Sequence, residues 1–552
     1  MKRFVIFSLT FALLFGCVPR NMDAEANTAK KPKNFIMMVM DGTNSDAVTL
    51  ARWYKGGKLA LDDILAGGAR TYSYHSAITD SAAAGTALAT GRKSIVHSIG
   101  MAPADGRGMI SDGNNGNKEQ ERTISPEQLG RSLMPAASIL EAAKKAGKAA
   151  GIVATSPVQH ATPAAFSTHV ANRSLMEDIA EQQVYQGLDV VLGGGLQYLL
   201  PESRRDGENL VKTIFNSGYV FADKKSMMEQ ASPGKLWGAF SPTAIANEFD
   251  RKQFFPQQPS LAEMTGKALS SLKKDKDGFF LFVEGSKVDW AAHQNDPVGM
   301  VSEILSFDAA VKQAVDFAKK DGETLVIAVT DHGNSGLTIG SRKTDKTYAV
   351  SEPSAFIKPL KKAKITLEGA MWLLKKDRSN LREVAGMYGL DHLSRDEWQR
   401  LERAGSDLQV GKELTRLLGK RAKLGFTTYG HTGEDVFLYA FGPGRPTGLI
   451  NNIDIAPLVA GFWGIDLAAL SKEKFVVAAD FYRNKGYSVR IDDTDSANPI
   501  LVAERPGVKL TYPAHKNFHY NNGKAVKQTG ITVYGGGKFY IPREMGTVPH
   551  SP

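Results

Sequence analysis

The sequence has little of several features that would place a chain in a special structural class. It contains a single cysteine among 552 residues, so no internal disulfide can form. It has no internal repeat, no low-complexity block, and no basic run interleaved with aromatic residues, which argues against nucleic-acid binding. Beyond the N-terminus, no segment holds enough consecutive apolar residues to cross a membrane. The composition, 42% hydrophobic and 23% charged, is that of a globular protein and excludes the disordered and fibrous classes.

The net charge of +10 has two interpretations. It indicates either a solvated lysine-rich surface or a mild preference for anionic substrates and surfaces, and composition does not choose between them.

The N-terminus has the pattern of an export signal. Lys2 and Arg3 precede an apolar stretch, 4–15, that is short for a membrane span. The stretch ends in Leu-Phe-Gly-Cys17, which resembles the lipobox of bacterial lipoproteins. We therefore expect a lipoprotein-type signal peptide (1–16), acylation of Cys17, a polar tether (17–33), and a lipid-anchored protein in the periplasm or at the cell surface. A standard signal peptide that happens to contain a cysteine is the alternative.

After the tether, buried strands alternate with helical patterns. Nearly continuous apolar runs predict strands at 34–40, 151–155, 189–192, 279–283, 324–330 and 436–441. Strands that are apolar on almost every residue are typical of a largely parallel sheet covered on both faces. The alternation predicts an α/β fold, a three-layer sandwich around a mostly parallel central sheet, over residues 34–470.

Two regions depart from this alternation. Residues 367–418 are helical, charged and amphipathic, and predict an inserted helical subdomain with a capping box that begins at Ser394. Residues 471–552 contain short alternating runs, with a hairpin expected around Gly535, Gly536 and Gly537, and predict a small β-rich C-terminal module.

Acidic residues follow three of the predicted strands. Asp41 follows the first, Glu284 the fourth, and Asp331 with His332 the fifth. Ligands of open α/β sheets bind beyond the carboxyl ends of the strands, so these side chains should meet at one edge. Several carboxylates gathered there need cations, and the adjacent histidine favours a metal site.

Two further candidates strengthen the metal interpretation. Asp289 and His293 have i, i+4 spacing, which places a carboxylate and an imidazole on one face of a helix. His431 lies between glycines that would let the backbone bring its ring close to a site.

Ser81 is the candidate nucleophile. Small residues follow it, which favours a helix that begins there with free N–H groups facing an anion. An ordinary N-cap serine is the alternative. No Gly-x-Ser-x-Gly elbow supports a hydrolase triad, so activation by a metal remains as the route to a serine nucleophile.

The segment 78–86 resembles the serine signature of alkaline phosphatases at every position. Six other fragments occur in that family's order, over roughly residues 34–463: Met40-Asp41-Gly42, His160-Ala161-Thr162-Pro163-Ala164-Ala165, Asn172-Arg173, Glu284-Gly285 with Asp289 and His293, Asp331-His332-Gly333, and His431-Thr432-Gly433.

The resemblance implies hydrolysis of phosphate monoesters through a phosphoserine on Ser81, with two Zn²⁺ and one Mg²⁺, and it leaves a homodimer open. Arg173 would clamp two phosphate oxygens, steadied by Asp80. The implied metal ligands form three sets: Asp289, His293 and His431 for the first zinc, Asp41, Asp331 and His332 for the second, and Asp41, Thr162 and Glu284 for magnesium.

Two positions depart from the family pattern. Trp290 stands where the enterobacterial and mammalian members carry lysine or histidine, so contacts to phosphate would differ. His160 is expected beside the magnesium ligands rather than among them, which leaves the identity of the third ion open.

Two other functions are compatible with parts of the sequence. A phosphodiesterase or nucleotide pyrophosphatase on the same scaffold would usually carry threonine in place of Ser81 and lack Arg173 and Glu284. An adhesive or phosphate-binding surface lipoprotein would explain the C-terminal module but not the catalytic motifs.

Overall fold

The computed structural model describes residues 31–103 and 133–543. The predicted signal peptide, Cys17 and all but the last three residues of the tether therefore lie outside the described residues.

The described residues form 24 strands, numbered in chain order. They are β1 Asn34–Met40, β2 Leu65–Arg70, β3 Met101–Ala102, β4 Met134–Pro135, β5 Ala149–Pro157, β6 Val190–Gly194, β7 Val220–Ala222, β8 Leu236–Ala239, β9 Phe279–Gly285, β10 Thr324–Val329, β11 Gly333–Asn334, β12 Thr338–Ile339, β13 Leu424–Gly425, β14 His431–Thr432, β15 Val436–Phe441, β16 Gly448–Asn451, β17 Val476–Val477, β18 Ser488–Asp492, β19 Ile500–Arg505, β20 Val508–Pro513, β21 Phe518–Asn521, β22 Lys524–Lys527, β23 Val533–Gly535 and β24 Lys538–Ile541.

The described α-helices are Ser45–Lys55, Ser81–Thr90, Ile139–Lys145, Ala161–Ser167, Met176–Gln186, Leu210–Asn216, Lys225–Gln230, Glu248–Phe254, Leu261–Leu272, Lys287–His293, Pro297–Asp321, Pro353–Leu360, Leu367–Leu373, Leu381–Met387, Arg395–Glu402, Asp407–Arg421, Ile455–Phe462, Leu467–Lys474 and Ala478–Arg483. Short 3-10 helices lie at Leu61–Asp63, Leu196–Leu199, Pro201–Ser203, Tyr348–Val350 and Asn452–Asp454.

A ten-stranded sheet forms the centre of the fold, in the order β16-β2-β15-β10-β1-β9-β5-β6-β8-β7. From β10 to β7 every neighbouring pair is parallel. β15 runs antiparallel to both its neighbours, β10 and β2, while β16 pairs parallel with β2. The prediction of a mostly parallel sheet is confirmed, and β15 is its one reversed strand.

Alternation along β1 shows why the sheet is covered on both faces. All seven residues of β1 are buried. Ile36 and Met38 pack into one apolar core with the long helix Pro297–Asp321. Phe35 and Met37 pack into a second core on the opposite face, against residues of the helix Ile455–Phe462. Successive side chains of a strand point to opposite faces, so a strand that is apolar throughout requires both layers of helices.

The region predicted as a helical insertion contains four helices, from Leu367–Leu373 to Asp407–Arg421, and the capping box at Ser394 is present. Its anchor is the buried carboxylate of Asp296, which caps the helix Pro297–Asp321. Tyr388 Oη donates to Asp296 Oδ1 at 2.6 Å, and the backbone N–H of Leu367 donates to Oδ2 at 2.8 Å. One side chain thus joins the insertion to the start of the longest described helix.

The C-terminal part forms two small antiparallel sheets, β18-β19-β20-β21-β22 and β17-β24-β23. The expected hairpin is β23–β24, which turns through Gly536 and Gly537. Lys516 contacts Glu181 and Glu208, so ion pairs connect this part to the rest of the chain.

Among the described residues, no single helix has both the length and the apolarity needed to cross a bilayer. Two consecutive helical segments, Asn452–Phe462 and Leu467–Lys474, reach that length only together, and they are bent by 84° at their junction.

The Asp296 anchor makes a stability prediction. Tyr388→Phe removes a fully buried hydroxyl that donates to a carboxylate, so we expect the free energy of unfolding to fall by about 1–3 kcal/mol. Urea unfolding measures the change. Tyr348→Phe is the matched control, since Tyr348 is 77% exposed and should leave stability unchanged. Equal stability of Tyr388→Phe and the wild type would contradict the role of this hydrogen bond in joining the insertion to the helix Pro297–Asp321.

Candidate active site

Three adjacent strands deliver carboxylates to one edge of the sheet. β1 lies between β10 and β9, and its register pairs Val39 with both Val329 and Glu284. Asp41 follows β1 and Asp331 lies two residues after the end of β10, so both lie two residues beyond the level of Glu284 along the sheet. Glu284 lies within β9, one residue before its end, because that strand extends two residues beyond the predicted end. The expected gathering of acidic side chains is present.

The first group of potential ligands is Asp41, Asp331 and His332, whose ligand atoms lie within 4.8 Å of one another. Asp331 Oδ1 accepts hydrogen bonds from the backbone N–H groups of Gly42 (3.1 Å) and His332 (3.0 Å). These bonds leave Asp331 Oδ2 3.3 Å from His332 Nε2. The second oxygen of Asp331 is therefore available to a cation.

The turn after β1 requires a glycine. Gly42 has φ of +65°, and a Cβ added to it would lie 2.7 Å from Asp289 Cα. Only glycine adopts this conformation without strain and allows the approach. Gly42 thus lets the helix that carries Asp289 pack against the turn that carries Asp41.

The second group is Asp289, His293 and His431. The predicted helix is present as Lys287–His293, and it places Asp289 Oδ2 3.4 Å from His293 Nε2. His293 Nδ1 donates to Tyr429 O at 2.7 Å, and His431 Nδ1 donates to Thr79 O at 2.8 Å. A carbonyl only accepts, so each Nδ1 carries the hydrogen and each Nε2 keeps its lone pair. The two Nε2 atoms lie 3.2 Å apart, as two ligands of one ion would.

The third group combines Asp41, Glu284 and His160. Thr162 belongs with it, because Thr162 Oγ1 is buried without a hydrogen-bond partner in the described part of the chain. The same holds for both carboxylate oxygens of Asp41 and of Glu284. Buried polar atoms are rarely left unpaired, so this set of oxygens could hold a cation.

Burial governs the titration of the cluster. Removal from water raises the pKa of Asp41 well above its usual range, and the nearby Asp331 raises it further. Burial likewise raises the pKa of Glu284 to about 8. The pKa of His332 falls to about 3, because burial disfavours the imidazolium and His431 adds to the effect. Without a cation, the protein resists placing negative charge here.

Ser81 begins the helix Ser81–Thr90, as predicted, and every residue of that helix is buried. Asp80 is the N-cap, and its Oδ1 accepts from the N–H of Ala83 at 3.0 Å. Ser81 Oγ lies 3.2 Å from His332 Nε2. The hydroxyl is therefore placed at a helix N-terminus and against the first group of ligands, where anions are stabilised.

Arg173 reaches the same place from another loop. Its Nη1 donates to Asp80 Oδ2 at 3.3 Å, and its Nη2 lies 3.1 Å from His160 Nε2. The ring of Trp290 packs edge-on against His160, with 5.6 Å between centroids. One carboxylate, Asp80, thus aligns both the serine and the arginine.

Two residues that orient this site, Asn334 and His97, were not predicted from the sequence. Asn334 Nδ2 donates to Asp289 Oδ1 at 2.6 Å, and the backbone N–H of His97 donates to Asp80 Oδ2 at 3.0 Å. Asn334 lies three residues after Asp331, so its proximity in sequence was a usable signal. His97 has no such signal, because its contribution comes from the backbone at a φ of 73°.

Comparison with known proteins agrees with this geometry. A family model described as alkaline phosphatase matches residues 32–464. Alkaline phosphatase 3 of Bacillus subtilis is 35% identical over 484 residues, which cover 82% of this chain and 94% of the relative. The alkaline phosphatase of Schizosaccharomyces pombe is 31% identical over 86% of this chain and 89% of its own length.

Solved structures give the same result. The crystal structure of Thermus thermophilus alkaline phosphatase aligns with a TM-score of 0.67 at 27% identity, over 81% of this chain and 96% of that one. The cold-active enzyme from a psychrophilic Shewanella aligns at 0.65 with 26% identity, over 78% and 99%. The chain therefore belongs to the alkaline phosphatase family and is a phosphatase of phosphate monoesters.

Proposed function

We propose that this enzyme hydrolyses phosphate monoesters to an alcohol and inorganic phosphate through a phosphoserine on Ser81, with two zinc ions and one magnesium ion. The observation that carries the proposal is the placement of Ser81 Oγ at a helix N-terminus, 3.2 Å from a histidine within the buried ligand cluster.

The chemistry of the donors supports two kinds of ion. Two groups combine imidazole and carboxylate, the ligands that suit zinc: Asp289, His293 and His431, and Asp41, Asp331 and His332. The orphaned oxygens of Asp41, Glu284 and Thr162 suit magnesium. His160, the remaining member of the third group, has its Nε2 against Arg173 and would lie beside the ion. When bound, the ions supply positive charge that neutralises the carboxylates, lowers the pKa of a hydroxyl, and stabilises a departing oxygen.

The chain itself positions the nucleophile. The Asp80 carboxylate accepts from the N–H of Ala83 and so caps the helix that begins at Ser81. This one carboxylate therefore fixes the position of Ser81 at the start of the helix. Attack by Ser81 Oγ forms the oxygen–phosphorus bond while the bond to the alcohol oxygen breaks; the serine loses its proton to water and the departing oxygen takes one up. Water then attacks the phosphorus, the bond to Ser81 Oγ breaks, and inorganic phosphate leaves. The nearby His332 has a pKa of about 3 and is neutral at working pH, so it does not serve as an acid toward the leaving group.

Arg173 sets the substrate class in this proposal. Asp80 and His160 hold its guanidinium from two directions, and its side chain is 25% exposed, so part of the fork faces substrate. A planar guanidinium pairs well with two oxygens of a phosphate. A monoester presents both oxygens with high charge, whereas a diester replaces one with a substituent.

The placement of the enzyme and its parts is a further proposal. The lipobox-like pattern supports export and a lipid anchor on Cys17, in the periplasm or at the cell surface. The family match, 32–464, supports a catalytic domain of 34–470. We assign 367–418 to this domain as a helical insertion and 471–552 as a small β-rich C-terminal module. A homodimer is compatible with the family.

The role of Arg173 can be tested by substitution. In Arg173→Ser, the ratio of monoester to diester kcat/KM should fall by about tenfold or more, because a bidentate charged pair is lost only for the monoester. Bound metal should be unchanged. Arg490→Ser, which removes an exposed arginine of the C-terminal sheet, is the control. An equal loss for both substrates would show that Arg173 acts through structure or metal loading.

The proposed lipid anchor on Cys17 can be tested by analysing the N-terminus of the mature protein. Mass spectrometry of the native protein should find an acylated Cys17 as the first residue, and Cys17→Ser should abolish membrane attachment because acylation requires the thiol. A mature N-terminus without lipid would refute the anchor and leave the catalytic proposal untouched.

A further inference from the structure

A cleft with a volume of about 690 Å³ lies beside the ligand cluster. One wall is the last helix of the insertion, Asp407–Arg421, and another is the segment 338–343. The exposed ring of Tyr429 stands at its rim. The volume is within the range of small-molecule sites.

The cleft is strongly basic. Four cations line it, Arg342, Lys343, Arg416 and Lys420, and none of its lining residues is acidic. Arg416 is paired with Glu413 at 2.6 Å. Within the described ranges, 31–103 and 133–543, the other three cations form no ion pair. Lys420 is near enough to Glu397 to lower the pKa of that carboxyl, so its charge is partly balanced. Positive charges gathered around one concave surface still attract an anion more strongly than scattered surface lysines do.

Two residues that line the cleft are close to the second group of ligands. Tyr429 accepts the hydrogen bond from His293 Nδ1 with its backbone oxygen, at 2.7 Å. Asn295 lies two residues after His293 and lines the cleft. It is 9% exposed, and its Oδ1 has no hydrogen-bond partner among the described residues. This buried amide oxygen can accept a hydrogen bond from a donor group of a ligand held in the cleft.

We infer that this cleft is a second anion subsite, which binds an anionic group on the alcohol portion of the substrate while another phosphate is hydrolysed at Ser81. The preferred substrates are then organic bisphosphates rather than simple monophosphates. This inference rests on the proposed function, because it assigns the cleft to a substrate that reacts at Ser81.

A matched substrate series tests the subsite. The probes are butane-, hexane-, octane- and decanediol bisphosphates, each compared with the alkyl monophosphate of the same length, as substrates of the full-length, metal-loaded enzyme. For at least one linker length, kcat/KM for the first phosphate released should exceed the monophosphate value by about tenfold at low ionic strength. The preference should shrink as salt is added, because exposed charges are screened.

Two triple variants carry equal changes of charge. Arg342→Gln/Lys343→Gln/Lys420→Gln should lose the bisphosphate preference while keeping the monophosphate kcat/KM. Lys524→Gln/Lys527→Gln/Lys538→Gln removes three exposed cations from the C-terminal sheets and should keep the preference.

The outcomes separate the subsite from the proposed function. Equal kcat/KM for bisphosphates and monophosphates at every linker length would overturn the subsite while leaving monoester hydrolysis intact. An equal loss in both triple variants would also overturn it, since the preference would then come from the overall charge. Failure to hydrolyse any monophosphate would refute the proposed function itself.

Discussion

The structure depends on one electrostatic constraint, the burial of several carboxylates at a single edge of the central sheet. Asp41, Glu284 and Asp331 are each at most 1% exposed, and burial raises the pKa of all three. Such a cluster costs free energy unless cations neutralise it. The parallel order of β10, β1 and β9 creates the cluster, because parallel strands end at the same edge. The strand order that defines the sheet therefore also brings the candidate metal ligands together.

A second carboxylate organises the reacting groups. Asp80 accepts from Ala83, from the backbone of His97 and from Arg173, so it joins the nucleophile helix to two separate loops. Both of its oxygens accept hydrogen bonds, and it is not a member of the three ligand groups described above. Precise placement of reacting groups requires this kind of support from neighbouring hydrogen bonds.

The sequence predicted the parts of the fold that depend on local pattern. β1 and β15 match their predicted bounds, because both are short apolar runs with clear ends. The direction of β15 was not predictable, since an apolar run does not encode which way a strand points. The acidic cluster followed from strand ends, and the Asp289–His293 pair from helical spacing. The carbonyls of Thr79 and Tyr429, which orient two histidines, were not predictable, because every residue carries the same backbone oxygen.

The central claim is that the buried ligand cluster holds the divalent ions that the reaction needs. Elemental analysis of the purified, dialysed enzyme, alongside monoester turnover, tests it most directly. We expect two zinc ions and one magnesium ion per chain, with one zinc lost and turnover severely reduced in His431→Ala, since no other described residue in that group replaces its Nε2. Full turnover by protein from which a chelator has removed every divalent ion would contradict the account.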